Sequence, residues 1–220
     1  MKKISLSLIL ILIGIFSTRT ANAQYTSIVN QASNLLQTAV IGGYGYKGYL
    51  DVSYVGGFGN LQADFIGIST TQGYQMASWF YMGAGLGVDI VYSKKDSGFN
   101  YNDFAIDRKV RTTGVMIPIF SDFRFNLGGT TGTSFFIDVK AGGSFLIGKN
   151  YLAIENGYIN GSEYFMLKPT MGLRVPVSQN GKKAMNFGVT YQLLTCNYWW
   201  YNNNSSSTLN SIGATVSYEW

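Results

Sequence analysis

The stretch SFFIDVKAGGSF (residues 134–145) sets apolar side chains at Phe135, Ile137, Val139 and Ala141, with Asp138 and Lys140 in the positions between them. Alternation with a period of two is the mark of a strand with one buried face. Here one face is apolar and the other carries charges of both signs. Two environments accept such a strand. In a soluble sheet the apolar face packs on a core and the charges meet water. In a membrane barrel the apolar face meets lipid and the charges point into the lumen.

The same period recurs along the chain. Eight segments read as strands, at about 46–57, 61–72, 79–92, 112–125, 133–147, 163–176, 184–196 and 209–220. In the third, Phe80, Met82, Ala84, Leu86, Val88, Ile90 and Tyr92 share a face opposite Gly83, Gly85, Gly87 and Asp89. In the fourth, Val115, Ile117, Ile119, Phe123 and Phe125 oppose Asp122, Arg124 and Asn126. The sixth sets Phe165, Leu167, Pro169, Met171, Leu173 and Val175 against Lys168, Thr170 and Arg174. The last sets Ile212, Ala214, Val216, Tyr218 and Trp220 against Thr215, Ser217 and Glu219. The second segment is ambiguous, because Phe65 and Ile66 compete for the outer face. These apolar faces are long and end in aromatic residues, as a lipid-facing band with aromatic girdles requires; strands in small sandwich cores are usually shorter.

The connections also sort by side. After the second, fourth and sixth strands they are short (GYQMAS, NLGGTTG, VSQNGKK), and after the third, fifth and seventh they are long (93–111, 148–162 and 197–208). Only the first hairpin, GGFGN, breaks the alternation. Short turns at one end and long loops at the other describe an outer-membrane barrel. The fold expected is therefore all-β: an eight-stranded antiparallel up-and-down transmembrane β-barrel over residues 46–220.

Two segments precede the barrel. Lys2 and Lys3, the apolar run Ile4–Phe16 and the small-residue site Ala21-Asn22-Ala23 make residues 1–23 a secretory signal peptide, cut before Gln24. Within 24–45, apolar residues at Ile28, Ala32, Leu35, Leu36, Ala39 and Val40 predict a short N-terminal helix over 27–40 that ends at Gly42-Gly43. It reads either as a tether to the first strand or as a plug or surface-lying helix.

Composition narrows the function. Without the signal peptide, basic residues fall from 16 to 13 against 11 acids, about +2 net, which gives no case for nucleic acid. Cys196 is the single cysteine and histidine is absent. Acyl-modifying or proteolytic mechanisms that use a histidine base are thereby set aside, and no metal-ligand cluster or cofactor motif is present. GGSFLIGKN has glycine–lysine spacing like a phosphate loop, but Asn150 stands where Ser or Thr would bind Mg²⁺ and no helix pattern follows.

An eight-stranded barrel has an interior only wide enough for side chains. The inward charges Asp51, Asp89, Asp122, Arg124, Asp138, Lys140, Lys168, Arg174 and Glu219 (with Asp64 less certain) should therefore form a paired network. Inward glycines should leave room for the Lys and Arg stems. At the surface, CNYWWYNNNSSST offers Trp199, Trp200 and Tyr201 either as a partner- or sugar-binding patch or as girdle aromatics. Lys94, Lys95, Arg108, Lys109 and Arg111 in the loop at 93–111 could meet lipopolysaccharide phosphates.

The segments GYKGYLDVSYVGGFG, STTQGYQM with FYMGAGLGVDI, and IPIFSDFRF with FIDVKAGGSF give residues 27–220 a resemblance to the small outer-membrane β-barrel proteins of the Bacteroidota type. The ending ATVSYEW resembles the aromatic-terminated signal read by the outer-membrane assembly machinery, which implies that role for Tyr218 and Trp220. The very short first loop and a terminal Trp in place of Phe depart from that pattern. The resemblance implies architecture and cell outer membrane location more than activity. Three readings follow: a non-enzymatic barrel for envelope structure or surface interaction, a narrow transport path for small or hydrophobic molecules, and a soluble periplasmic binding protein.

Overall fold

The computed structural model describes residues 45–59, 62–92, 113–128, 132–148, 151–154, 157–178, 181–200 and 203–220. The segments expected to be a signal peptide (1–23) and a helix (27–40) lie outside the described residues, as does 93–111. The described residues form ten strands: β1 (Tyr46–Phe58), β2 (Asp64–Ala77), β3 (Phe80–Tyr92), β4 (Thr113–Leu127), β5 (Ser134–Ile147), β6 (Tyr151–Ile154), β7 (Gly157–Asn160), β8 (Glu163–Pro176), β9 (Ala184–Trp200) and β10 (Asn203–Glu219). Eight of them close into a barrel in the order β1-β10-β9-β8-β5-β4-β3-β2. The closing pair β1–β10 is antiparallel like its neighbours and runs in register from Tyr49↔Glu219 to Phe58↔Asn210. Closure leaves no sheet edge within the barrel wall, which is what an apolar medium demands of a backbone that cannot turn to water.

The alternation decides which side each residue takes. Val52, Ile68, Leu86, Ile119, Met171 and Val189 on the outer wall are each at least half exposed. Asp51, Asp89, Asp122 and Asp138 on the inner face of the same wall are buried. A soluble protein does not expose an apolar belt around its whole circumference; a transmembrane barrel must. At the turn end, Trp79 stacks on Phe125 and tilts against Phe80, and Tyr218 stacks on Trp220, giving the belt an aromatic margin. In β2 the ambiguity resolves with Ile66 outward and Phe65 buried.

Two expectations need correction. The connection at 148–162 contains a hairpin, β6–β7, that pairs with no barrel strand. Its Leu152 is buried in the apolar cluster at the loop end. A four-residue strand is too short to show a period against its surroundings. More substantially, 197–208 is not a loop: β9 and β10 continue in register up to Trp200↔Asn203. Trp199 and Trp200 therefore sit in a strand, while Tyr201 lies outside the described residues. The stretch is polar and carries no alternation because it stands beyond the apolar belt, so hydrophobic period cannot reveal it. At the other end β2 runs through Ala77, leaving only residues 78–79 to turn into β3.

The seam is locked by the last residue. Gly48 and Trp220 exchange backbone hydrogen bonds (3.0 and 3.1 Å). The Trp220 indole lies so close over Gly48 that an added Cβ would fall 2.5 Å from the ring. A side chain at 48 must displace that ring. Gly48→Val should therefore lower the temperature at which the compact, heat-modifiable form converts to the unfolded band on gels, whereas Gly132→Val, at an open position on a turn, should leave it within a few degrees of wild type.

Candidate functional site

Among the described residues, the fold concentrates its buried polar side chains in the lumen. Inward positions alternate with outward ones along every strand, so residues two apart in sequence line the same face. In β5 this aims Ser134, Phe136, Asp138, Lys140 and Ser144 inward; in β1 it aims Lys47, Tyr49, Asp51, Ser53 and Val55. All nine charged residues expected in the lumen are buried there.

They fall into tiers. Nearest the turn end, Arg174 donates to Glu219 from Nε (2.8 Å to Oε2) and Nη2 (2.9 Å to Oε1), a bidentate pair. Its Nη2 also donates to the Gly181 carbonyl at 2.7 Å, which ties the β8–β9 turn to the lumen. Lys47 donates to Glu219 as well. Lys47 was absent from the residues expected here, although its parity with Asp51 in β1 was the signal that could have found it.

The middle tier answers the question posed by Asp138 and Lys140. Register sets Arg124 opposite Asp138 and Asp122 opposite Lys140. Arg124 Nη2 donates to Asp138 Oδ2 at 3.0 Å. Lys140 Nζ reaches across the lumen to Asp51 Oδ2 at 2.6 Å and lies 3.3 Å from Asp138 Oδ2. The guanidinium of Arg124 lies 3.9 Å from the centroid of the Tyr49 ring and 4.9 Å from that of Phe136, so its charge is held by a carboxylate and by two π faces. Asp122 sits beside this cluster, but neither of its oxygens accepts a hydrogen bond among the described residues. The same holds for the side-chain amides of Asn126, Asn186 and Gln192.

Above it, Lys168 faces Lys140 across the β5–β8 pair. It turns away and donates to Ser53 Oγ at 2.8 Å. A hydroxyl chain runs from Thr170 through Thr190 to Thr215 with spacings of 2.9 and 2.6 Å. Asp64, by contrast, is not part of this network. It shares the outer parity of Ile66, and at the rim it accepts from the Tyr54 hydroxyl (3.1 Å) and the Gly57 N–H (3.0 Å).

The inward glycines serve carboxylate and ring rather than Lys and Arg stems. A Cβ on Gly67 would fall 1.9 Å from Asp89 Oδ1, and one on Gly85 would fall 2.5 Å from the Phe120 ring. Toward the loop end the lining turns apolar. Val55, Phe65, Val91, Met116, Phe120, Leu146, Met166, Leu194 and Leu209 form one buried cluster with Leu152. That layer carries no separate sequence signal, because its inward apolar residues break the alternation that marks the charged faces. Among the described residues no group of His, Cys, Asp or Glu is arranged to hold a metal ion.

No protein-family model matches the chain, and no curated protein sequence does. Several solved structures are similar in fold. Neisserial surface protein A is 9% identical with a TM-score of 0.48, over 79% of this chain and 95% of that one. The N-terminal β-barrel domain of Pseudomonas aeruginosa OprF is 12% identical with a TM-score of 0.38, over 79% and 97%. The outer membrane enzyme PagL is 12% identical with a TM-score of 0.45, over 78% and 97%.

The middle tier sets a quantitative expectation. Replacing Lys140 with Met leaves the Asp51 and Asp138 carboxylates short of a cation in a buried site, which should cost on the order of 3–5 kcal/mol. Lys183→Met, at an exposed position near a turn, should change stability by under about 0.5 kcal/mol. Urea unfolding in detergent compares the two directly; equal midpoints would mean that the lumen charges are solvated rather than paired.

Proposed function

We propose that this chain is a non-enzymatic, non-conducting barrel of the bacterial outer membrane that serves envelope structure or surface interaction. One observation carries the reading: the polarity of the wall is inverted, with an apolar belt outside and a lumen of buried charges, several of them ion-paired, beneath an apolar layer. The belt requires lipid. Among the described residues an apolar cluster lines the lumen at the loop end, which favours this reading over the transport one. Fold alone does not decide between enzyme and scaffold; the absence of histidine and the burial of Cys196, the single cysteine, favour the scaffold. The resemblance to small Bacteroidota-type barrels supports the same location. Within this reading the assembly machinery would recognise Tyr218 and Trp220, and the basic residues of 93–111 would meet lipopolysaccharide.

The test has two arms. The mature protein should fractionate with outer membranes and resist carbonate extraction. Reconstituted into planar bilayers, it should give no steady single-channel current. Recovery in the soluble periplasmic fraction would remove the membrane reading, and a reproducible conductance would replace the scaffold with the transport path. An epitope inserted between β9 and β10, before Asn203, should be reached by antibody on intact cells; labelling only after lysis would reverse the orientation.

A further inference from the structure

The β9–β10 hairpin outgrows the barrel. β10 has a partner in β1 only as far as Phe58↔Asn210, and β9 has a partner in β8 only as far as Phe165↔Thr195. The two strands nevertheless stay paired with each other up to Trp200↔Asn203. Among the described residues, then, residues 203–209 of β10 have no strand on the side that β1 occupies lower down. At about 3.4 Å per residue this is an open edge of roughly 24 Å. β9 offers a shorter one.

Such an edge presents a row of backbone donors and acceptors, and proteins normally guard it with lysine, proline, a bulge or a cover. Among the described residues this one carries no such guard. From Cys196 to Asn210 the sequence CNYWWYNNNSSSTLN contains no charged residue, no proline and no glycine. The register across it is continuous, without a bulge.

We propose that this ribbon is a homotypic docking strand, through which two copies of the chain join β10 edge to β10 edge, antiparallel, as one four-stranded sheet. The occupant follows from symmetry and charge. Two-fold pairing sets each strand against its own reverse, so any charge near the axis would face its like; an uncharged run of Asn, Ser and Thr meets itself without that penalty. The β10 edge is the one used because it offers the longer free run. The pairing requires loop ends that face each other. It rests on the proposed membrane orientation only for its setting, which is contact between two apposed outer membranes; it deepens the surface-interaction reading by naming the partner as a second copy.

The experiment uses the full mature chain in detergent micelles, which cover the apolar belt and leave the ribbon free. Ser206→Cys sits at the middle of the free run, so the two-fold brings it opposite itself or one residue away. Mild oxidation should convert Ser206→Cys largely to a disulfide dimer, while Gly132→Cys, at the turn end, stays monomeric. By sedimentation the wild type should self-associate with concentration. A variant in which Asn-Gly replaces residues 198–205 joins Asn197 to Ser206, which already face each other; it should remain heat-modifiable, hence folded, and be monomeric. A monomeric wild type, a dimer that survives the shortening, or equal cross-linking of both cysteine variants would overturn the proposal. Failure of the membrane reading would register separately, as solubility without detergent.

Discussion

Closing eight strands into a ring leaves an interior that only side chains can fill, and the rest of this structure follows from that width. A charge aimed inward is costly unless a counter-charge lies within a few ångströms, because the wall separates it from bulk water. Lys140 meets this demand by spanning the lumen from β5 to Asp51 on β1. In the barrel order these two strands lie on opposite sides. Arg124 meets it through its cross-strand neighbour Asp138 and the Tyr49 ring. Arg174 and Lys47 meet it by sharing Glu219 one residue from the end of the chain. The contact between β1 and β5 does what a hydrophobic core does in a soluble fold: it fixes the distance between walls that share no backbone hydrogen bonds.

The interior divides along its axis, and the division bears on function. Charged tiers fill the middle and the turn end, and an apolar cluster closes the loop end with Leu152 from the β6–β7 hairpin. An ion entering from the loop end would have to lose its hydration against Val55, Phe65 and Met116 before reaching any carboxylate. Ion pairs tie the walls together across the lumen, and an apolar cluster lies at the loop end. What remains free to interact is the outside: the loop end and the ribbon that rises from it.

Much of this was legible in the residues. Alternation in 134–145 and its repeats gave the eight barrel strands, most of their faces and most of the lumen charges, because a lipid-facing wall forces a strict period of two. Parity within a strand is as informative as that period, and Lys47 escaped only because it was not applied to the start of β1. Other features had no sequence signal to read. Leu152 is one apolar residue in a four-residue strand. The hairpin from 197 to 208 stands above the lipid, where nothing imposes alternation, and so it resembled a polar loop. The pairing partners across the lumen were open as well. Register can set Asp122 opposite Lys140, yet only the three-dimensional closure sends Lys140 to Asp51.

The central claim is that cross-lumen charge pairing, rather than the wall alone, holds the barrel closed, and a double-mutant cycle on Asp51 and Lys140 measures it most directly. Asp51→Asn, Lys140→Met and the double variant are unfolded in urea from lipid vesicles, and the coupling energy is read from the departure from additivity. The account predicts two destabilised single variants and a double variant clearly more stable than their sum, with a coupling of about 1–3 kcal/mol. Strictly additive effects, or single variants that unfold like wild type, would contradict it.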